Sequence, residues 1–225
     1  MDTAAPAVRG QSALTPLEMG VTVAASALVI AASYLQWWAI SVTEAWGFAT
    51  GGICVWLVVR EQPWNWLVGL ANNGVFFVLF LQSRLYADMW LQLVYFGLGV
   101  YGWLNWVYGG RDRTALKISR TTRVEWLVLA FAMPAATWLL WRILHAANGA
   151  APFWDSLTSV VSLAAQYLLC RKRLENWFLW IAADVIYVPL YLSGSLPLTA
   201  ALYAVFLAMC LCGVREWRRN LGQTT

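Results

Sequence analysis

Long apolar blocks recur along the whole chain, separated by short stretches rich in Arg, Pro, Gly, Asn and Ser. Each block is close to the length of about 20 residues that carries a helix across a hydrocarbon core of about 30 Å. The pattern predicts eight helices, over residues 18–40, 44–60, 64–82, 86–107, 123–145, 153–170, 175–192 and 197–214. The expected fold class is therefore an all-α polytopic membrane protein. The first block, Gly20 to Ile40, is longer than a signal-peptide core and only Arg9 precedes it as a positive residue. Thr15 with Glu18 forms a capping-box pattern and Pro16 suits a first helical turn, so a retained N-terminal helix is expected.

The blocks repeat. A shift of 111 positions, the separation of Trp66 from Trp177, brings Asn65 onto Asn176, Asn73 onto Asp184, Phe76 onto Tyr187 and Tyr95 onto Phe206. Gly102 then meets Gly213, Trp106 meets Trp217, Glu44 meets Asp155 and Arg60 meets Arg171, all without a gap. Apolar matches are cheap in such a chain, whereas Asn-Trp, Arg and Gly matches at one offset signal a duplication. Helices two to four thus correspond to helices six to eight. Three crossings invert direction, and the extra crossing of helix five restores it, so the two copies run parallel about an axis along the membrane normal. The expected organisation is an N-terminal tail and extra helix over 1–43 and a first three-helix repeat over 44–110. A basic loop and linking helix follow over 111–150, then a second repeat over 151–217 and a tail over 218–225. Binding sites in carriers of this kind lie between the repeats near the bilayer midplane, which points to helices three and seven.

On helix seven, Trp177, Trp180, Asp184, Tyr187 and Tyr191 are spaced by three, four, three and four, which puts them on one helical face. The equivalent stripe on helix three is Trp66, Gly69, Asn73, Phe76 and Phe80. A carboxylate at depth in hydrocarbon costs at least a few kcal/mol and marks a cavity or a partner. Aromatic faces around one carboxylate suit a flat or cationic organic group, each cation–π contact contributing roughly 0.5–2 kcal/mol. Two plainer readings stand beside this one. Trp177, near its helix end, also fits an interfacial aromatic belt, and Asp184 also fits a structural hydrogen bond to Asn73 or Gln92. Asn72 and Asn73 lie near the middle of helix three. Gln92 sits one helical turn beyond Asp88 and has Tyr203 as its counterpart, so it is assigned to the ligand. Pro134 and Pro189 interrupt helices five and seven, the second as a candidate hinge.

Composition sharpens the class. Hydrophobic residues make up 61 % of the chain and charged residues 12 %, about half the globular norm of roughly 25 %. The net charge of +4 does not imply nucleic acid, because the basic residues sit between apolar blocks rather than along one face. With the N-terminus in the cytoplasm, all of the 15 lysines and arginines except Arg84 and Arg142 fall inside, so both termini are expected to be cytoplasmic. The four cysteines lie in or at the ends of apolar segments, and Cys210 and Cys212 point about 200° apart, so they are read as packing residues rather than metal ligands. No HExxH, GxSxG or SxxK pattern occurs, and one histidine with one deep carboxylate assembles neither an acid–base pair nor a metal site. Neither catalysis nor a cofactor is expected; a carrier is.

Two stretches add a family resemblance. "RLENWFLWIAADVIYVPLYLSGSLPLTAALYAVFLAMCLCGVREW" in the second copy and "WNWLVGLANNGVFFVLFLQSRLYADMWLQLVYFGLGVYGWLNW" in the first resemble the PnuC nicotinamide riboside transporters. The tryptophan pair of helix seven, "LYADMxLQxxY" and "YGWxxW" carry the likeness, which runs from about Glu44 to Trp217. The resemblance implies a three-plus-one-plus-three core like that of full-length SWEET sugar carriers, assembled as a homotrimer in a bacterial inner membrane. It implies facilitated diffusion of a vitamin precursor, trapped by a cytoplasmic kinase. It also implies that Trp177, Trp180 and the residue at 184 hold the substrate, with Asn73 and Gln92 contributing from the first copy. Trp66 and Tyr187 complete the candidate binding set. The family often has asparagine where this chain has Asp184, and related branches carry thiamine or riboflavin. Nicotinamide riboside and thiamine have a fixed positive ring and riboflavin is neutral, so the carboxylate favours the first two. Nicotinamide riboside is the expected substrate, thiamine the alternative, and a vitamin-binding sensor or scaffold the more distant one.

Overall fold

The computed structural model describes residues 15–37, 42–82, 86–147, 151–193 and 197–222. Two compact units divide the chain, Met1–Leu116 and Lys117–Thr225. Unit one contains α1 (Pro16–Tyr34), α2 (Val42–Val59), α3 (Trp64–Gln82) and α4 (Tyr86–Tyr108), followed by a short 3₁₀ turn at Arg111–Arg113. Within it α1 packs on α2, α2 on α3 and α3 on α4. Unit two contains α5 (Arg123–Ala146), α6 (Pro152–Cys170), α7 (Asn176–Ser193) and α8 (Pro197–Gly222), again packed in chain order. The all-helical architecture expected from the apolar blocks is the one observed.

Two helix ends differ from the hydropathy pattern. α1 stops at Tyr34 rather than near residue 40, because Gln36 takes the left-handed conformation (φ 54°) and the Trp37 amide bonds back to the Ala32 carbonyl at 2.9 Å. That six-to-one bond is the signature of a Schellman stop. α8 continues to Gly222, well past the end of its apolar stretch at 214. Arg, Glu and Leu are strong helix formers, so the helix outlasts its hydrophobicity. Arg219 pairs with Glu216 at 3.0 Å, and the Arg218 guanidinium lies 5.4 Å from the centre of the Phe178 ring.

α5 runs for 24 residues straight through Pro134 and, by length and composition, can cross a membrane. Only Glu125, Leu129 and Thr137 are buried along it, one every one or two turns, and they face α6. Leu129 packs with Ala164 and Leu168, with Met133, Tyr167 and Leu179 around them. Much of the remaining surface of α5, including Leu127, Val128, Phe131, Trp138 and Leu139, is exposed and apolar. α6 is the reverse, with Ser156, Thr158, Ser162, Ala164 and Ala165 buried. In lipid the apolar effect does not drive helices together, so small residues that allow close approach do the packing. The hydroxyls of Ser156 and Thr158 donate back to the carbonyls of Pro152 and Trp154 at 2.6 and 2.8 Å, which satisfies them inside the helix.

The offset of 111 residues reappears as geometry where α2 turns into α3 and α6 into α7. Glu61 and Lys172 both take φ near +50°, at 55° and 51°. The Gln62 amide bonds to Leu57 O at 2.8 Å and the Arg173 amide to Leu168 O at 2.9 Å, two equivalent Schellman stops. Asn65 Nδ2 donates to Gln62 O at 2.7 Å, and Asn176 Nδ2 to Arg173 O at 2.6 Å.

Unit two adds a clamp at the start of α5. Ser119 forms a single parallel β-bridge to Arg173, with Ser119 N bonded to Lys172 O and Leu174 N bonded to Ser119 O. The Thr121 amide and hydroxyl both donate to Glu175 Oε2 at 2.8 Å. Thr122 and Glu125 form a full capping box at the α5 N-terminus. Glu125 Oε1 also receives Arg171 Nε and Arg173 Nη2, each at 3.0 Å, while Arg173 Nη1 donates to Ser119 Oγ at 2.7 Å. The segment entering α5 is thereby tied to the α6–α7 turn.

Candidate functional site

α7 packs against α8. From the α6–α7 turn onward, Trp177 comes first. Its indole meets that of Trp217 edge to face, with centroids 5.4 Å apart and planes at 84°. A Cβ on Gly213 would clash with the carbons of the Trp177 six-membered ring, so glycine is the residue that lets the indole come this close to α8. Trp177 is only 1 % exposed. Unit one holds the same clasp: Trp66 meets Trp106 at 5.5 Å and 86°, and Gly102 receives its ring. The indole N–H groups of Trp66 and Trp177 are buried without a hydrogen-bond partner. The repeat offset thus corresponds here to two matching Trp–Gly–Trp clasps, and both outermost candidate tryptophans are their central members.

Two turns on, Asp184 is 5 % exposed. Cys210 of α8 donates its S–H to Asp184 Oδ2 at 3.6 Å. Trp180, on the same α7 face, is half-buried, as is Tyr187. The Tyr187 ring lies 4.6 Å from that of Tyr203, tilted by 38°, and Tyr203 meets Phe206 edge to face at 5.9 Å. α7 continues through Pro189 to Ser193. A buried carboxylate with one weak donor, flanked along its helix by aromatic rings, can accept a hydrogen bond from a ligand or neutralise a cationic ring.

In unit one Asn73 and Gln92 are half-buried on α3 and α4, which pack together. Asn72 is committed elsewhere, its Oδ1 accepting from Thr50 Oγ1 of α2 at 3.3 Å. The side chains of Phe80, Asp88 and Tyr191 lie outside the described residues, as do Arg9 and Arg84. Among the described residues no group of three metal-ligating side chains occurs, and the four cysteines are free.

The partner face of α8 went unread in the sequence, although the signal is present. Tyr203, Phe206, Cys210, Gly213 and Trp217 follow the spacing three, four, three, four of the α7 stripe. The α4 equivalents are Gln92, Tyr95, Gly99, Gly102 and Trp106. Each stripe is half of an interlocked pair.

Comparison with known proteins gives this arrangement a context. The profile of a family described as nicotinamide mononucleotide transporter matches residues 41–219. The nicotinamide riboside transporter PnuC of Escherichia coli is 29 % identical, over 79 % of this chain and 85 % of its own length. The protein of that name from Neisseria mucosa is also 29 % identical, over 77 % and 72 %. The riboflavin/roseoflavin transporter RibM of Streptomyces davaonensis is 26 % identical, over 76 % and 82 %. In fold, the chain is similar to a crystal structure of the vitamin B3 transporter PnuC, with a TM-score of 0.70, 24 % identity and 95 % of both chains covered. With a profile match over most of its length, this chain belongs to the nicotinamide mononucleotide transporter family, whose members are multi-pass membrane transporters rather than enzymes.

Proposed function

We propose that this protein carries nicotinamide riboside across a bacterial inner membrane by facilitated diffusion, with both termini in the cytoplasm. Asp184 carries the reading. It is a carboxylate buried on an aromatic helix face, with one oxygen held by Cys210. The nicotinamide ring of the riboside bears a fixed positive charge. A buried carboxylate next to it gains Coulomb energy in a low-dielectric site, and a ring stacked on Trp180 adds about 0.5–2 kcal/mol of cation–π attraction. Tyr187 lies one turn further along the same face. Asn73 and Gln92, half-buried in unit one, are the candidate hydrogen-bonding groups of the first copy. Trp66 and Trp177 serve the site as packed supports, since both are enclosed in their clasps. Net uptake then runs down the substrate gradient, kept steep by a cytoplasmic kinase that phosphorylates the arriving riboside. The working assembly is a homotrimer.

A second reading is transport of another vitamin by the same site. The similarity to RibM favours it for riboflavin, and the positive ring of thiamine fits the carboxylate as well as that of nicotinamide riboside. Tryptophan-fluorescence titration of the purified protein with all three vitamins decides between them. Saturable quenching by nicotinamide riboside alone is the expected result; a response to riboflavin alone overturns the assignment of Asp184 as a counter-ion. Uptake into sealed proteoliposomes separates a carrier from a binder, because a binder saturates at its own stoichiometry.

A further inference from the structure

A carboxylate has no hydrogen to donate and accepts only, so a buried one needs donors around it. For Asp184 the structure supplies one: among the described residues its partner is the Cys210 thiol, donating to Oδ2 at 3.6 Å. Cys210 is itself 4 % exposed, fixed where α8 crosses α7. Ala183, the neighbour of Asp184 on α7, is small and fully buried.

The first copy of the repeat provides an internal control. Where the second copy has Asp184 and Cys210, the first has Asn73 and Gly99. An amide carries its own donors and needs no thiol. At Gly99 a Cβ would come within 2.9 Å of Leu70 Cδ2, so α3 closes that space with an apolar side chain instead. The donor is present in the copy that carries the acid, and absent from the copy that carries the amide.

We propose that Cys210 is a positioning residue of the binding site, holding Oδ2 of Asp184 so that Oδ1 is presented to the substrate. The inference rests on the reading of Asp184 as the substrate's carboxylate. A thiol suits the task because S–H is a weak donor. It sets the orientation of the carboxylate without neutralising it, and gives way when the substrate leaves.

Fluorescence titration with nicotinamide riboside tests this on purified Cys210→Ala, Cys210→Val, Cys210→Ser and Asp184→Asn proteins. Removing the donor should raise Kd about three- to tenfold in both the Ala and the Val variants, the loss expected for one hydrogen bond. Val fills the space and lacks only the donor. Cys210→Ser, which keeps one, should return Kd to within about twofold of the parent. In an Asp184→Asn background, Cys210→Val should add no further loss, because nothing remains to be oriented. If Asp184→Asn weakens binding while Cys210→Val does not, Cys210 has no positioning role and the reading of Asp184 stands. An equal loss from Cys210→Val in both backgrounds makes the cysteine a packing residue and overturns the proposal. Unchanged binding in Asp184→Asn removes the reading of the site itself.

Discussion

Glu125 offers the sharpest test of how unit two is held together. It is buried at the first turn of α5 and its two oxygens take five contacts. Oε2 accepts from the Thr122 amide at 2.8 Å and the Thr122 hydroxyl at 2.9 Å. Oε1 accepts Arg173 Nε at 3.2 Å, Arg173 Nη2 at 3.0 Å and Arg171 Nε at 3.0 Å. Replacing Glu125 by Gln keeps the capping geometry, since glutamine also serves in a capping box, but removes the charge that the arginines face. Breaking a buried pair from one side costs about 3–5 kcal/mol. The Arg173 side chain is 13 % exposed and stays largely enclosed, whereas that of Arg171 is 40 % exposed and rehydrates. Only one of the two guanidinium groups is stranded, so the expected loss is about 2 kcal/mol. Glu125→Ala also removes the cap and should lose about 1 kcal/mol more. Unfolding by graded SDS in mixed micelles, followed by tryptophan fluorescence, measures both. A double-mutant cycle with Arg173→Met should return a coupling of about 1–3 kcal/mol, because the double variant strands no charge. A loss below about 0.5 kcal/mol in Glu125→Gln, the size of an ordinary surface change, would refute the clamp.

Other perturbations separate support from binding. Gly213→Ala and Gly102→Ala each push a methyl into a clasped indole and should cost about 1–3 kcal/mol in the same SDS titration; equal stability to the parent in both would mean that the clasps are loose. Trp177→Ala should act mainly on stability, by about 3–5 kcal/mol, whereas Trp180→Ala, half-buried, should leave the SDS midpoint nearer the parent and weaken nicotinamide riboside binding by up to about thirtyfold. Asp184→Ala should abolish saturable quenching while the protein elutes on size exclusion as the parent does. Arg120 pairs with Glu175 at 3.5 Å but is 64 % exposed, so Arg120→Ala should stay within about 1 kcal/mol of the parent; a larger loss would show that the outer pair belongs to the clamp.

Helix positions were legible in the sequence wherever an apolar block ended at a Pro, Gly or polar cluster, as at Trp64, Tyr86, Arg123 and Pro197. They were less legible where hydropathy and backbone preference part company. α8 runs on through Arg215 to Asn220 because those residues favour helix, and α1 stops at Tyr34 although apolar residues continue. The α7 stripe was readable because a charge stands out in an apolar run. The α8 stripe has the same spacing but consists of Tyr, Phe, Cys, Gly and Trp, which look like ordinary packing until their partners are known. The clamp joins residues 46 to 54 positions apart, and no local pattern reports such pairs. One clue existed: the second copy has Arg173 and Glu175 where the first has Gln62 and Trp64. Two charges at positions where the matching turn has none mark a partner on that side only.

The clamp also imposes an order of events during synthesis. Glu125 leaves the ribosome 48 residues before Arg173, a delay of about 2–10 s at ordinary elongation rates. For that interval the acid has only Thr122, its own cap, to hold it. α5 can therefore enter the bilayer as a self-capped helix and wait. When the α6–α7 turn arrives, Arg171 and Arg173 close on the acid, and Ser119 and Thr121 find their partners in the same few residues. The last-made part of the clamp reports that α6 has been inserted in the correct direction, since an inverted α6 would leave both arginines on the far side of the membrane.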